Sequence, residues 1–407
     1  MRTSLKARYV FPVAGEPIAD GVVTIEGESI LAVGREPGGD HVLDLGNAAV
    51  LPGFVNAHAH LEYSDLDAPL GKPGIPFVDW IRQVVAYRAE LEDHDESEAI
   101  RHGYQQSLAG GTTTLGEIVQ LGWSDDLLPP EGPDTTAFLE LIAPTTGRIA
   151  PTVGAARTHL QNHAGQESWR PGLSPHAPYS VHSEVLGEAI QLAAGVSAPV
   201  AMHLAESREE LELLAKGDGP FRNFLEAMGA WQEGFLAPGT RPLDYLQRLA
   251  MAPRTLVIHG NYLDDEEIAF LADRAGRMAV VYCPRTHAYF GHDAYPLEKM
   301  LAAGATVALG TDSRASCPDL SMLSVMRAVA QKHPEVDRSC LLALATSEGA
   351  RALGRGHEVG TLEPRRRADL VVVPLPDRDV ADPHALLFES AEGVLATWCR
   401  GRRTETA

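Results

Sequence analysis

The sequence is short of positive charge, of cysteine and of long apolar runs. Its 34 Lys and Arg against 55 Asp and Glu leave a formal net charge of −21, and a field of that sign repels phosphate backbones and anionic membranes. The four cysteines are scattered without a CxxC pair, so neither a disulfide framework nor a zinc knuckle is expected. No apolar window approaches the roughly 18 residues of a membrane span, and the first residues lack a signal-peptide core. These absences predict a cytoplasmic protein that binds neither nucleic acid nor membrane.

Short strand-like runs occur at both ends of the 407-residue chain. Residues 1–53 alternate apolar and polar positions between glycines and prolines, and a β-branched run returns at residues 368–374. We therefore predict one small β-sandwich domain composed of residues 1–53 and 357–407.

Between these ends, short apolar segments recur, each followed by a stretch able to form a helix. They begin at residues 54, 112, 137, 172, 200, 255, 278 and 306. Such strands alternating with helices predict a parallel sheet that closes as a (β/α)8 TIM barrel over residues 54–356. A doubly wound open sheet is the structural alternative.

Side chains that bind metals or transfer protons concentrate where the predicted strands end. His58 and His60 lie two apart on the first strand, so their side chains point to the same side. Five further candidates end or follow later strands: His176, His203, Glu206, His259 and Asp312. Two alternate histidines also arise by chance on surface strands, but a barrel gathers its C-terminal strand ends into one bowl. The pattern therefore favours an active site there.

Three imidazoles and one carboxylate, from His58, His60, His203 and Asp312, make a ligand set suited to zinc or ferrous iron. A calcium site would require more oxygen ligands. We predict one divalent metal ion, zinc or iron, with a coordination position left for water.

The chain resembles the cytosine, guanine and methylthioadenosine deaminase branch of the amidohydrolase superfamily. The shared motifs are PGFVNxHxH from residue 52, HLAE from 203, CPR from 283 and GTDS from 310. The resemblance implies that the four predicted ligands hold one metal and that the reaction is a hydrolytic deamination of a heteroaromatic ring. Glu206 would protonate a ring nitrogen, Asp312 with His259 would accept the proton of the attacking water, and His176 would orient the substrate.

The segment PRTHAYF, from residue 284, carries His287 where many relatives have asparagine. This version resembles the subgroup that deaminates 6-amino-6-deoxyfutalosine, an adenine nucleoside bearing a benzoate, on the futalosine route to menaquinone. The resemblance implies that His287 lies near the substrate and that an arginine, Arg148 or Arg285, binds the carboxylate. Glu117 is a candidate for the ribose hydroxyls. An ion pair, a helix cap or simple packing is the alternative for each of these four residues.

Three kinds of function stay open. The first is deamination of a 6-aminopurine nucleoside or of another purine or pyrimidine, including methylthioadenosine and S-adenosylhomocysteine. The second is triazine dechlorination or the opening of a cyclic amide, although the binuclear branch needs a carboxylated lysine on the fourth strand and Lys72 is the only lysine between His60 and His203. The third is a metal-binding protein without catalysis, against which Glu206 and His259 argue. The expected partner is a small-molecule substrate, and the habit of relatives also suggests a homodimer.

Overall fold

A computed structural model describes six stretches of the chain, residues 2–39, 41–91, 96–129, 131–161, 169–389 and 392–404. Within them the chain forms two β-sheets and fourteen α-helices. The first sheet contains β1 (Arg2–Val10), β2 (Ile18–Glu26), β3 (Ser29–Gly34), β4 (His41–Asp44), β5 (Ala48–Pro52), β15 (Leu370–Pro374), β16 (Ala396–Cys399) and β17 (Arg402–Arg403). The second contains β6 (Phe54–His60), β7 (Thr112–Val119), β8 (Asp134–Leu141), β9 (Trp169–Pro175), β10 (Val200–Leu204), β11 (Thr255–His259), β12 (Met278–Tyr282), β13 (Thr306–Leu309) and β14 (Asp312–Ser313).

The second sheet is parallel and contains all eight apolar segments that the sequence analysis assigned to the barrel. The eighth predicted strand is split into β13 and β14 by Gly310 and Thr311. β13 pairs with β12, whereas β14 pairs with β6, so the first and last strands are joined by hydrogen bonds. An open sheet would leave these two edges apart. The prediction of a mixed α/β fold around a curled parallel sheet is confirmed.

Helices connect most of the strands of this sheet, and several of them pack against it. They are α1 (Phe77–Leu91), α2 (Ser97–Ala109), α3 (Thr146–Gln161), α4 (Ser183–Val196), α5 (Arg208–Lys216), α6 (Pro220–Ala227), α7 (Pro242–Leu249), α8 (Asp265–Ala272), α9 (Pro284–Phe290), α10 (Leu297–Ala303), α11 (Met322–Lys332), α12 (Arg338–Leu344), α13 (Ser347–Ala352) and α14 (His384–Glu389). Among the described helices, none combines the length and the apolar character that crossing a bilayer requires.

Strands from both ends of the chain share the first sheet, in the order β17-β16-β15-β5-β1-β2-β3 with β4 beside β1. Alternate residues of β15 point to opposite faces. Val371 and Val373 pack into the main core, and Leu370 and Val372 pack into a separate core of the terminal strands. The leucines of α14 also join the main core. One apolar face of this first sheet, called the terminal sheet below, therefore packs against the rest of the protein.

A buried ion cluster joins the beginning of β8 to the terminal sheet. Both Arg355, which follows α13, and Arg367, which precedes β15, donate to Oδ2 of Asp134. Arg367 also pairs with Asp369, and no side chain in the cluster is more than 12% exposed. These charges lie at the N-terminal end of the parallel strands, the end that serves stability in this kind of fold.

Candidate active site

Five side chains from four strands meet at the C-terminal end of the parallel sheet. His58 and His60 come from β6, His203 from β10, His259 from β11 and Asp312 from β14, and all five are buried. Nε2 of His58 lies 3.5 Å and Nε2 of His60 lies 3.9 Å from Oδ1 of Asp312. The ring centroids of His58 and His203 are 5.0 Å apart. The structure thus brings together all four predicted metal ligands, and His259 with them.

This cluster has the unpaired donor atoms that a metal ion requires. Among the described residues, neither ring nitrogen of His58 has a hydrogen-bond partner, nor does Nδ1 of His60. Nδ1 of His203 donates to the carbonyl oxygen of His176 at 3.0 Å, which leaves Nε2 with its lone pair free to ligate. Buried polar atoms without partners are unfavourable unless something binds them. Ligand atoms of His58, His203 and His259 lie within 4.8 Å of one another, as do those of His58, His60 and Asp312.

Burial sets the charge state of these groups. It lowers the pKa of His60 and of His259 to about 3, helped by the neighbouring His58, so both imidazoles are neutral near pH 7. Burial alone would raise the pKa of Asp312, but the adjacent His58 and His259 hold it well below its usual range. Neutral imidazoles beside an ionised carboxylate are the forms that bind a divalent cation.

One close approach of the main chain makes this geometry possible. At Gly310, between β13 and β14, a Cβ atom would lie 2.9 Å from the carbonyl oxygen of His58. A side chain here would push the strand that carries Asp312 away from β6. The glycine of the GTDS motif is therefore required by packing against the metal-site strand.

Glu206 lies two residues beyond β10 and faces the cluster. Its Oε1 is 3.2 Å from Nε2 of His259. Burial, followed by the charges of Asp312 and Glu210, raises the pKa of Glu206 well above its usual value. This shift favours the protonated form of the carboxyl group, which is the form that can donate a proton as a general acid.

A cavity of about 440 Å³ opens above these residues. His60, His176, His203, Glu206, His259 and Asp312 form part of its polar floor. Much of its wall is apolar and comes from α1 and from α6 with the turn after it: Phe77, Trp80, Ile81, Val84, Val85, Phe224, Leu225 and Met228. The site combines proton-transfer groups with an apolar pocket, which is the usual composition of a small-molecule site.

Two of the predicted substrate-binding residues line this cavity. His176 follows β9, and its Nδ1 is 2.6 Å from the hydroxyl oxygen of Ser180, which fixes the ring. Arg148, in the first turn of α3, is exposed on the cavity wall.

The structure places the other three away from the cavity. Glu117 points toward α2, where it accepts a hydrogen bond from the hydroxyl of Tyr104, and burial raises its pKa to about 8. Arg285 pairs with Asp319. His287 packs edge-on against the rings of Tyr282 and Tyr295. Each of the three is therefore paired or packed within the protein, which was the alternative to substrate binding in the sequence analysis.

The sequence analysis missed a charged group that lines the cavity beside His176. Glu140, next to the last residue of β8, lies with Oε1 3.8 Å from Nε2 of His176, and its Oε2 accepts a hydrogen bond from Gln120 at 2.9 Å. Burial would raise its pKa, but His176 and Arg88 lower it to about 2. Arg88 of α1 also donates to Glu62 at 2.6 Å. The position of Glu140 at a strand end could have identified it, whereas an arginine in the last turn of a helix carries no such signal.

Comparison with known proteins agrees with this geometry. Residues 49–404 match the amidohydrolase family. The chain belongs to that family. It is 29% identical to a 5-methylthioadenosine/S-adenosylhomocysteine deaminase of Moorella thermoacetica over 99% of this chain and 91% of that protein. It is 31% identical to an aminodeoxyfutalosine deaminase of Deinococcus radiodurans over 82% of this chain and 81% of that protein. The protein is a hydrolytic deaminase of the amidohydrolase family.

Solved structures show the same fold as this amidohydrolase. A Helicobacter pylori aminofutalosine deaminase in complex with methylthio-coformycin superimposes with a TM-score of 0.86 over 99% of this chain and all of that chain, at 24% identity. An adenosine deaminase from Xanthomonas campestris with bound zinc gives a TM-score of 0.79 over 98% of this chain and 92% of that chain, also at 24% identity. The histidine cluster fits the metal dependence that is general in the family.

Proposed function

We propose that the protein deaminates a 6-aminopurine nucleoside by hydrolysis, with 6-amino-6-deoxyfutalosine as its substrate and menaquinone biosynthesis as its role. The observation that carries the reaction type is the placement of the Glu206 carboxyl group 3.2 Å from His259, beside the buried histidine and aspartate cluster, where burial raises the pKa of Glu206. A zinc or ferrous ion held by His58, His60, His203 and Asp312 would supply Lewis acidity to activate water for attack.

Each remaining side chain of the floor has a role in this reaction. Glu206 donates its proton to the ring nitrogen beside the carbon that bears the amine, which makes that carbon more electrophilic. Asp312 is ionised and accepts the proton of the attacking water, and the neutral His259 beside Glu206 assists this transfer. His176, whose ring is held by Ser180, orients the purine. Asp312 then passes its proton to the exocyclic amine, which leaves as ammonia as the C–N bond breaks, and Glu206 regains a proton from the new hydroxyl group as that group becomes the carbonyl.

The pocket wall supports a nucleoside that carries an aromatic or apolar tail and a negative charge. The apolar side chains of α1 and α6 offer a surface for such a tail. Arg148 stands at the rim, exposed, and no ion pair is formed by its side chain within the described residues. A guanidinium in this position suits the carboxylate of a benzoate. The relative from Deinococcus radiodurans, named for aminodeoxyfutalosine, supports the same choice.

Methylthioadenosine and S-adenosylhomocysteine are the second candidates. They are favoured by the relative from Moorella thermoacetica, which aligns over 99% of this chain. S-adenosylhomocysteine also carries a carboxylate, so Arg148 alone does not separate the two candidates.

Ammonia release by purified, metal-analysed protein tests the proposal. The panel contains aminodeoxyfutalosine, methylthioadenosine, S-adenosylhomocysteine, adenosine, guanine and cytosine. We expect the highest kcat/KM for aminodeoxyfutalosine. Preference for another purine nucleoside would overturn the substrate and keep the reaction. No ammonia from any compound, despite one metal per chain, would overturn purine deamination and direct the search to ring-opening or triazine substrates.

The finer architecture that we propose is a complete (β/α)8 barrel over residues 54–356 with residues 1–53 and 357–407 as a small β-sandwich domain. The β14 to β6 pairing and the sheet shared by both chain ends support it. Limited proteolysis of the native protein should cut loops and leave the terminal strands associated with the barrel.

A further inference from the structure

Glu206 lies in a short connection that has an unfavourable backbone conformation. β10 ends at Leu204 and α5 begins at Arg208, so Glu206 belongs to neither element. The residue before it, Ala205, has a φ of 53°. An alanine in the left-handed region is disfavoured and persists only where the surroundings hold it there. The position of the acid therefore depends on whatever holds this connection.

The side chain of Glu210 holds it directly. Its Oε1 accepts the backbone N–H of Ala205 at 2.8 Å, and its Oε2 accepts the backbone N–H of Glu206 at 2.9 Å. Glu210 is fully buried. One carboxylate thus satisfies two consecutive main-chain donors and fixes the peptide plane between Ala205 and Glu206.

This arrangement differs from an ordinary helix cap. Ser207 is the N-cap residue of α5 and Glu210 is the third helical residue, where a capping glutamate normally accepts the N–H of the N-cap residue itself. α8 shows the ordinary case, because Oε2 of Glu267 accepts the N–H of its N-cap residue Asp264 at 2.9 Å. Glu210 instead reaches past the N-cap to the residue that performs the proton transfer.

A second side chain holds the other end of the same residue. Nδ2 of Asn261 donates to the carbonyl oxygen of Glu206 at 2.8 Å. Asn261 comes two residues after His259, so the strand end that supplies the histidine also holds the glutamate. The main chain of Glu206 is bound on its N–H side by Glu210 and on its C=O side by Asn261.

We propose that Glu210 is a positioning residue of the deaminase, which fixes the backbone of Glu206 so that its carboxyl group meets the substrate and His259. This inference rests on the proposed role of Glu206 as the proton donor. Asn261 supports the same placement. Neither Glu210 nor Asn261 lines the cavity, so both act through Glu206.

Glu210→Gln tests the proposal, with Glu267→Gln as the matched control. Both glutamates are buried third residues of a helix, and each accepts two backbone N–H groups, but Glu267 lies away from the cavity. A glutamine keeps one acceptor and presents an NH₂ group to the other donor, so it can make only one of the two bonds.

For Glu210→Gln we expect kcat to fall about 10- to 100-fold, because a displacement of the order of 1 Å at a reacting group costs that much. KM should stay within about threefold and the metal content at one per chain, since no ligand or wall residue changes. Glu267→Gln should keep kcat within about twofold even where its Tm falls. Equal kcat for the two variants would overturn the proposal. If Glu210→Gln does not fold, Glu210→Asp keeps the charge, is too short to bridge both donors, and is judged by the same comparison.

Crystal structures of wild type and the variant supply a readout that needs no substrate. We expect the 3.2 Å approach of Glu206 Oε1 to His259 Nε2 to be lost in Glu210→Gln. An unchanged turn and an unchanged distance would overturn the positioning role whatever the substrate is. A wild-type enzyme that releases no ammonia from any purine nucleoside would overturn the proposed function instead, so the two failures are distinguishable.

Discussion

Glu206 and His259 lie side by side, with Oε1 of the carboxyl group 3.2 Å from Nε2 of the imidazole, although they come from the ends of different strands of the parallel sheet. Burial disfavours the charged form of each group. It raises the pKa of Glu206 well above its usual value and lowers that of His259 to about 3. The site therefore places a carboxyl group whose protonated form is favoured beside a neutral imidazole, an arrangement suited to the first proton transfer of a deamination.

Glu206→Gln should nearly abolish turnover without releasing the metal. Glutamine preserves the size of the side chain but has no proton to donate, so kcat should fall by about 10²- to 10⁴-fold. Metal analysis of the purified variant should still give one ion per chain. Glu209→Gln, in the first turn of α5, is the control and should behave as wild type. A variant at position 206 that keeps more than a tenth of the wild-type kcat would contradict the role of Glu206.

His203→Asn should release the metal. The imidazole has one nitrogen bound to the carbonyl of His176 and the other free for a metal, and asparagine does not replace that second nitrogen. Loss of a direct ligand should weaken metal affinity at least as much as the loss of a ligand's supporting hydrogen bond, about 10- to 100-fold. His182→Asn, at the N-cap of α4, should keep its metal because asparagine is also a good N-cap. Equal metal content after dialysis against a chelator would argue against His203 as a ligand.

Arg148→Gln should weaken the binding of anionic nucleosides alone. Loss of a charged hydrogen bond of about 1.5 to 3 kcal/mol should raise KM about 10- to 100-fold for a substrate with a carboxylate and leave adenosine unaffected. Arg157→Gln removes the same charge from an exposed position on the same helix, outside the cavity lining, and is the control. Parallel changes in KM for charged and uncharged nucleosides would exclude a carboxylate contact at Arg148.

Glu117→Gln should change how stability depends on pH. Burial raises the folded-state pKa of Glu117 to about 8, above its ordinary value of 4.5. A raised carboxyl pKa stabilises the folded state fully below about pH 4.5, and this contribution is lost as pH rises to about 8, at about 1.4 kcal/mol per pH unit. Glutamine can still accept from Tyr104 but does not titrate. The stability of the variant relative to wild type should therefore grow from pH 5 to pH 8 and then level off in chemical denaturation, and a constant difference would contradict a buried protonated Glu117.

Asp134→Asn should destabilise the protein without affecting catalysis. Asp134 binds Arg355 and Arg367 in the buried cluster at the far end of the strands, and its side chain is 3% exposed. Breaking a buried ion pair by removing one partner costs about 3 to 5 kcal/mol. Asp20→Asn, an exposed carboxylate on β2, should have little effect. Unfolding in denaturant measures the loss, and a fall in kcat at permissive temperature would show that the cluster does more than join the two sheets.

The strands and the convergence of the candidate metal ligands could be predicted from the sequence because their signals are local. An apolar run identifies a strand, and the two-residue period of a strand places His58 and His60 on one side. The C-terminal ends of parallel barrel strands meet at one face, so His203, His259 and Asp312 are expected near these histidines without knowledge of any contact. The same rule would have found Glu140 had it been applied to β8.

The sequence pattern does not show how each helix packs against the strands. The predictions of substrate-binding residues therefore had different outcomes. Arg148 and Arg285 looked equivalent, yet one faces the cavity and the other pairs with Asp319, because the packing of each helix decides which way its side chains point. Glu117 turned out to face Tyr104 for the same reason. Arg88 carries no motif, and the Ser-x-x-Glu spacing of Ser207 and Glu210 is that of an ordinary helix cap. The sequence by itself determined which residue types stand at the strand ends and, through the motifs shared with the family, the type of reaction. Only the tertiary structure decided which charges line the pocket and which side chains hold the acid, since those contacts join residues that no periodicity relates.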